Sequence, residues 1–146
     1  MLSVSFTLGA VCLFAWGLSA CATGAVIIPD ELSPAEIIQR AQEASDRNRY
    51  GIALQYYEAL LDRNPQNFDL VCTAEYEIAF ILYKQRNYSH ARENFEALLE
   101  RYDAPGGEYL PPQYKILSEI VLLRIDEKER QRRPFSREKR EVRSEG

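Results

Sequence analysis

The chain is 146 residues long, enough for one small domain, and carries 18 Lys and Arg against 22 Asp and Glu. The net charge of −4 is unevenly spread: from Lys128 onward eight basic residues face four acidic ones, a net +4, which leaves −8 on the remainder. An acidic body excludes general nucleic-acid binding, which needs basic surface against phosphate, and a single His excludes a His-rich metal site.

Residues 1–20, MLSVSFTLGAVCLFAWGLSA, hold no charge and are mostly apolar. The segment is at the short edge for a membrane-spanning helix and ends in small residues. Its close, Leu18-Ser19-Ala20-Cys21, resembles the bacterial lipobox. That resemblance implies cleavage between Ala20 and Cys21, with the Cys21 thiol then thioether-linked to diacylglycerol. No Lys or Arg precedes the apolar run, unlike the usual export signal, so an uncleaved membrane anchor with an incidental Cys is the alternative. Residues 1–20 are therefore expected to be a lipoprotein signal peptide. Residues 21–32 would then be a lipid-anchored tether of up to about 40 Å beyond Cys21 when extended. Once Cys12 leaves with the signal and Cys21 is acylated, Cys72 stands alone, and no intramolecular disulfide can form. A lone Cys in an apolar helical stretch reads as a small core residue.

Ser33-Pro34-Ala35-Glu36 marks the start of the first helix. Ser33 can cap, Pro34 suits the first helical position and Glu36 completes a capping box, so a helix is expected from about Pro34 to about Asp46. Two similar segments follow, YGIALQYYEALLDR from Tyr50 and YSHARENFEALLER from Tyr88, 38 residues apart. With residues 47–64 set over 85–102, seven of 18 pairs are identical, among them Tyr50 with Tyr88 and Ala53 with Ala91, while Tyr57 meets Phe95. The apolar positions keep helical spacing, and a helical stretch precedes each copy. A fixed period of this kind is the mark of a helical repeat.

Tyr50, Ala53, Tyr57 and Pro65 in one copy, with Tyr88, Ala91 and Phe95 in the other, resemble the second helix of the tetratricopeptide repeat. Ala41 and Ala79 take the small position of the first helix, although Ile37 and Glu75 stand where that family has a Trp. The small residues allow two helices to approach closely, and the large ring fills the gap between neighbouring pairs. From Pro111-Pro112 a last helix is expected, with Tyr114, Leu117, Val121 and Ile125 on one face and Ser118 at the small position. Pro134 and the charged residues after it are expected to end this helix. The expected fold is all-α: a short tetratricopeptide-like array over residues 33–133, two full helix-turn-helix units plus a capping helix. Residues 134–146 are expected to be a charged, disordered tail.

No catalytic set stands out. A single His cannot supply a Ser–His–Asp set with redundancy, there is no glycine-rich phosphate loop, and Glu75 and Glu77 read as helix-surface carboxylates. The chain is expected not to be an enzyme and to need no cofactor and no metal. A hydrolytic activity that depended on His90 would reverse that reading. In the repeat family the first helices line a concave groove for a peptide or a helix. The resemblance offers Ile38, Gln42 and Asp46 from the first unit, Tyr76, Phe80, Tyr83 and Lys84 from the second, and Lys115 with Glu119 from the last helix. Aromatic anchors with a few polar groups suit such a groove. The expected protein is a lipid-anchored scaffold of the bacterial cell envelope, on the periplasmic or outer-membrane face. It would bind a protein or peptide partner in the groove, touch the membrane through its N-terminal lipid and bind no nucleic acid. A homo-oligomer is compatible with so short an array. Anchor plus repeats resembles lipoprotein components of outer-membrane assembly; a periplasmic chaperone or a cell-wall-associated coordinator on the same scaffold is the alternative.

Overall fold

The computed structural model describes residues 24–144, with side chains as far as Arg132. The residues expected to form a lipobox, Leu18 to Cys21, and Cys12 and Trp16 lie outside the described residues. Among those described there are five α-helices, one 3-10 turn and no strand: α1 (Pro34–Asp46), α2 (Tyr50–Arg63), α3 (Phe68–Lys84), α4 (Tyr88–Asp103), the turn Gly107–Tyr109 and α5 (Pro112–Ser144). The class is all-α. None of the described helices is long and apolar enough to cross a membrane.

Local chemistry sets the boundaries. The α1 capping box forms as its sequence dictates, with the Glu36 N–H donating to Ser33 Oγ and the Ser33 N–H donating to the Glu36 carboxylate. The Asn67 side chain caps α3 by accepting from the Leu70 N–H at 3.2 Å. The two helix-to-helix turns, α1 to α2 and α3 to α4, are built alike. In the first, the Asn48 N–H donates to the Ser45 carbonyl and the Arg49 N–H to that of Ala44; in the second, Arg86 donates to Tyr83 and Asn87 to Leu82. Both are Schellman closures with a left-handed residue at the bend, Asn48 at φ 57° and Arg86 at φ 61°, again 38 residues apart.

Packing follows from α3. Its Ala74 and Ile81 join Ile37, Ala41, Ala44, Ala53, Tyr57 and Leu60 in one core, between α1 and α2. From its other side Cys72, Tyr76 and Ala79 meet Ala91, Phe95 and Leu98 of α4 and Val121 and Ile125 of α5 in a second core. A helix buried on two sides must be apolar almost all round, as FDLVCTAEYEIAFILYK is. Helix α5 runs antiparallel to α4. Arg92, near the start of α4, meets Asp126 at 2.6 Å and Glu129 at 3.0 Å, while Asp103, its last residue, meets Lys115 at 3.6 Å. Gly107 sits so close to Tyr102 that a Cβ there would collide with the Tyr102 carbonyl.

Two sequence expectations need correction. Helix α5 does not stop at Pro134 but continues to Ser144. A mid-helix proline costs one hydrogen bond, and the Arg, Glu and Lys residues around it are good helix formers. Nor is the tether free along its length. The Val26 N–H donates to Gln55 Oε1 at 2.8 Å, and the Arg63 guanidinium donates to the Pro29 and Ile28 carbonyls, both at 2.9 Å, and pairs with Asp30. Val26, Ile28 and Leu32 lie on the first core. Four residues, Ala22 to Ala25, are left between Cys21 and the packed segment, so Cys21 and Val26 are at most about 18 Å apart.

Candidate functional site

The residues assigned to repeat packing lie where close contact requires small or large side chains. Ala53 and Ala91 are fully buried, as are Tyr57 and Phe95, while Tyr50 and Tyr88 are half-buried. The Tyr50 hydroxyl donates to Asn48 Oδ1 at 2.7 Å, tying α2 to its own turn.

The groove residues do not form one surface. Tyr76 is only 7% exposed and belongs to the second core. Its ring stacks on Phe80 at 5.8 Å between centroids and touches Phe95 and Tyr114 at 5.7 and 5.5 Å. Phe80 stacks in turn on Tyr83, and Tyr83 leans on Tyr88. The expected aromatic groove on α3 is thus largely filled by its own rings: Tyr76 is a core residue, and Phe80 and Tyr83 are half-buried. Lys115 is drawn to the α4 side by Asp103, away from the α1 side of α3. Ile38 is half-buried and packs on the first core, and Gln42 is exposed.

A site is nevertheless assembled between α1 and α3. Gln42, Ser45 and Asp46 of α1, Tyr57 of α2, and Glu77, Phe80 and Lys84 of α3 surround a cavity of about 270 Å³. Gln42 and Asp46 on α1, and Phe80 and Lys84 on α3, each lie four residues apart and so share one face of their helix, the face toward the cavity. Lys84 spans the gap, donating from Nζ to Ser45 Oγ at 2.9 Å while lying 5.3 Å from the centre of the Phe80 ring. Tyr57 reaches it from α2. Its ring is buried completely, yet its hydroxyl has no hydrogen-bond partner among the described residues. Burial, with the negative charge of Glu77 and Asp46 nearby, pushes the phenol above its ordinary range, so it stays protonated. Burial also raises the Glu77 carboxyl above its usual value; Lys84 pulls the other way and Asp46 adds to the rise.

Sequence reasoning missed Glu77, read as a surface carboxylate, and the Tyr57 hydroxyl, read as part of a packing ring. The signal for the second was present: Phe95 fills the matching place in the other copy, so packing alone asks for no oxygen. Elsewhere, Cys72 is 1% exposed and burial raises its thiol pKa, which makes it an inert core residue. His90 sits exposed on α4 with Nδ1 2.8 Å from Asn87 Oδ1. Helix α5 shows solvent a second apolar row, Ile116, Ile120 and Leu123, on the side opposite its buried Ser118, Val121 and Ile125.

The sequence is similar to an uncharacterized protein of Treponema pallidum (strain Nichols), at 39% identity over 98 residues. The match takes in 67% of this chain and 39% of the relative, so the chain spans about two fifths of the length of the curated relative it matches. No family model matches the sequence. No solved structure matches it.

Proposed function

We propose that this chain is a lipid-anchored protein of the bacterial cell envelope whose helices form a tetratricopeptide-like array, and that it is a scaffold holding a segment of another protein in the groove between α1 and α3. The observation that carries the array is the identical closure of the two helix pairs, with left-handed Asn48 and Arg86 exactly one 38-residue period apart. The groove is supported by a cavity open to an exposed Gln42 and Lys84 and lined by polar groups from three helices. At about 270 Å³ it is smaller than an ordinary cofactor site and suits a single side chain of a docked segment.

The anchor rests on Leu18-Ser19-Ala20-Cys21. The packing of Val26 to Leu32 along α2 adds a consequence: a lipid on Cys21 would hold the packed segment at Val26 within about 18 Å of the bilayer plus the width of the headgroups. Self-association through the exposed α5 row belongs to the same reading, and sedimentation of the full chain measures it. The test of the scaffold is a photo-crosslinking side chain placed at Gln42 in native membranes. A partner captured there and not from Glu93, on the exposed side of α4, is the expected result. Mass spectrometry of the membrane-extracted protein checks the anchor, and retention of residues 1–20 would remove it.

A further inference from the structure

The cavity between α1 and α3 has a definite charge pattern. Two carboxyl groups, Asp46 from α1 and Glu77 from α3, border it together with one ammonium, Lys84. With both carboxyls ionised the balance is −1. The Lys84 ammonium is already held, by Ser45 Oγ at 2.9 Å and by the face of the Phe80 ring. Tyr57 also lines the cavity, and its oxygen is fully buried without a partner among the described residues, a condition that costs free energy unless something arrives to hydrogen-bond it. The matching place in the second unit is Phe95, equally buried, so the hydroxyl is not a requirement of the fold.

An anion entering this space would meet two carboxyl groups and a committed ammonium. A cation would meet two acceptors on facing helices, the Phe80 ring, and the unpartnered phenol oxygen. Between the two biological cations, an ammonium is a compact charge with no plane to lay against a ring. A guanidinium is planar, presents its N–H groups in a fork that can address two carboxylates at once, and stacks on aromatic faces.

We propose that the groove between α1 and α3 is an arginine pocket. An arginine of the bound protein segment places its guanidinium between Asp46 and Glu77, against Phe80, with one N–H donated to the Tyr57 oxygen. This assignment rests on the reading of that groove as a docking site and adds the chemistry of what docks. Lys84 then acts as a resident competitor: it screens the carboxyl pair while the pocket is empty and must yield when the guanidinium enters.

The probe is the peptide acetyl-Ala-Leu-Arg-Leu-Ala-amide, compared with the same peptide carrying citrulline, which keeps the shape of arginine without its charge. Each is titrated onto the isotope-labelled full chain and followed by amide NMR shifts. The arginine peptide is expected to shift Gln42, Ser45, Asp46, Glu77 and Phe80, and the citrulline peptide to bind about tenfold more weakly or worse. Glu77→Gln and Asp46→Asn, each first checked for unchanged circular dichroism, should each weaken the arginine peptide by about tenfold. Lys84→Met should tighten it, an outcome that a merely structural Lys84 would not give. Equal binding of arginine and citrulline peptides overturns the proposal, as does an arginine peptide that leaves the groove amides unmoved. Tighter binding of an acidic peptide, lost in Lys84→Met, would make this an anion site and also overturn it. The docking reading fails separately: it falls if the crosslinker at Gln42 captures no protein segment in native membranes. A captured segment without arginine at the contact overturns the pocket assignment alone.

Discussion

Removing a single oxygen should stabilise this protein. Tyr57 is fully buried and its hydroxyl has no partner among the described residues, so folding strips the group of water and returns nothing there. A buried, unsatisfied hydrogen-bonding group costs about 1–3 kcal/mol, whereas its replacement by an apolar atom of similar shape costs little. Tyr57→Phe keeps the ring that fills the space between α1, α2 and α3 and deletes only the orphan atom. Phe95 does the same work in the second unit at the same burial, so the site tolerates the smaller side chain. The expected gain is about 1 kcal/mol, the low end of the range because deleting the oxygen also removes its packing contacts. For a helical domain of roughly 100 residues that is a rise of about 4–8 °C in Tm. Thermal and urea unfolding at pH 7, followed by circular dichroism, measure it. The reciprocal change, Phe95→Tyr, adds a buried hydroxyl to the second core and should lose a comparable amount. A Tyr57→Phe variant that is less stable than the parent by 1 kcal/mol or more would refute the reasoning, since the hydroxyl would then be satisfied in the free protein.

Other consequences follow from the same geometry. Arg86 holds a left-handed conformation that costs a residue with a Cβ about 1–2 kcal/mol, so Arg86→Gly should raise the stability by up to about 1 kcal/mol after its greater unfolded-state entropy is subtracted, read as a higher urea midpoint. Gly107→Ala would drive a Cβ into the Tyr102 carbonyl and should cost about 2 kcal/mol or more, seen as a lowered urea midpoint. Ala53→Leu or Ala91→Leu should overpack a fully buried helix contact by about 1–3 kcal/mol, read by the same melt. The Glu77 carboxyl, raised in the folded state, is charged at a cost that is absent below its ordinary value of 4.5 and grows as pH climbs through the raised one. Glu77→Gln should therefore stabilise at pH 7 and be neutral near pH 4, and an advantage that persists unchanged at pH 4 would contradict the assignment.

Much of the fold was legible because local rules wrote it. Ser33, Pro34 and Glu36 placed the start of α1 through capping alone, and α1 ends at Asp46 as its periodicity implies. What local rules could not supply was which side of each helix is covered. Tyr76, Phe80 and Tyr83 share helical spacing whether they face solvent or a neighbour, and the arrival of Tyr114 from α5 and Phe95 from α4 turned Tyr76 inward. The same limit hid the docking of Val26 to Leu32, which depends on Gln55 and Arg63 about 30 residues away. It also hid Glu77, whose neighbours Asp46 and Lys84 come from different helices or turns of the chain. At Pro134 a local rule was applied too strictly, because a proline weakens a helix without forbidding it.

The candidate site stands out most clearly where the two copies disagree. Positions that hold the units together are the same or nearly the same in both: Ala41 and Ala79, Ala53 and Ala91, Leu60 and Leu98, each pair buried. Positions that line the cavity have diverged. Gln42 faces Phe80 across the period, Ser45 corresponds to Tyr83, Asp46 to Lys84, and Tyr57 to Phe95. Packing constrains the first set, since a larger side chain at a helix crossing would push the pair apart. It does not constrain the second set in the same way: an exposed acid and an exposed base serve equally well near the ends of α1 and α3, and the buried ring fills its space with or without an oxygen. A duplicated segment therefore contains its own control. Single differences between the copies carry little meaning, but here they converge from three helices on one cavity, and one of them leaves a buried oxygen without a partner among the described residues. That convergence separates the cleft between α1 and α3 from the aromatic face of α3, which the rings of the second core have already filled.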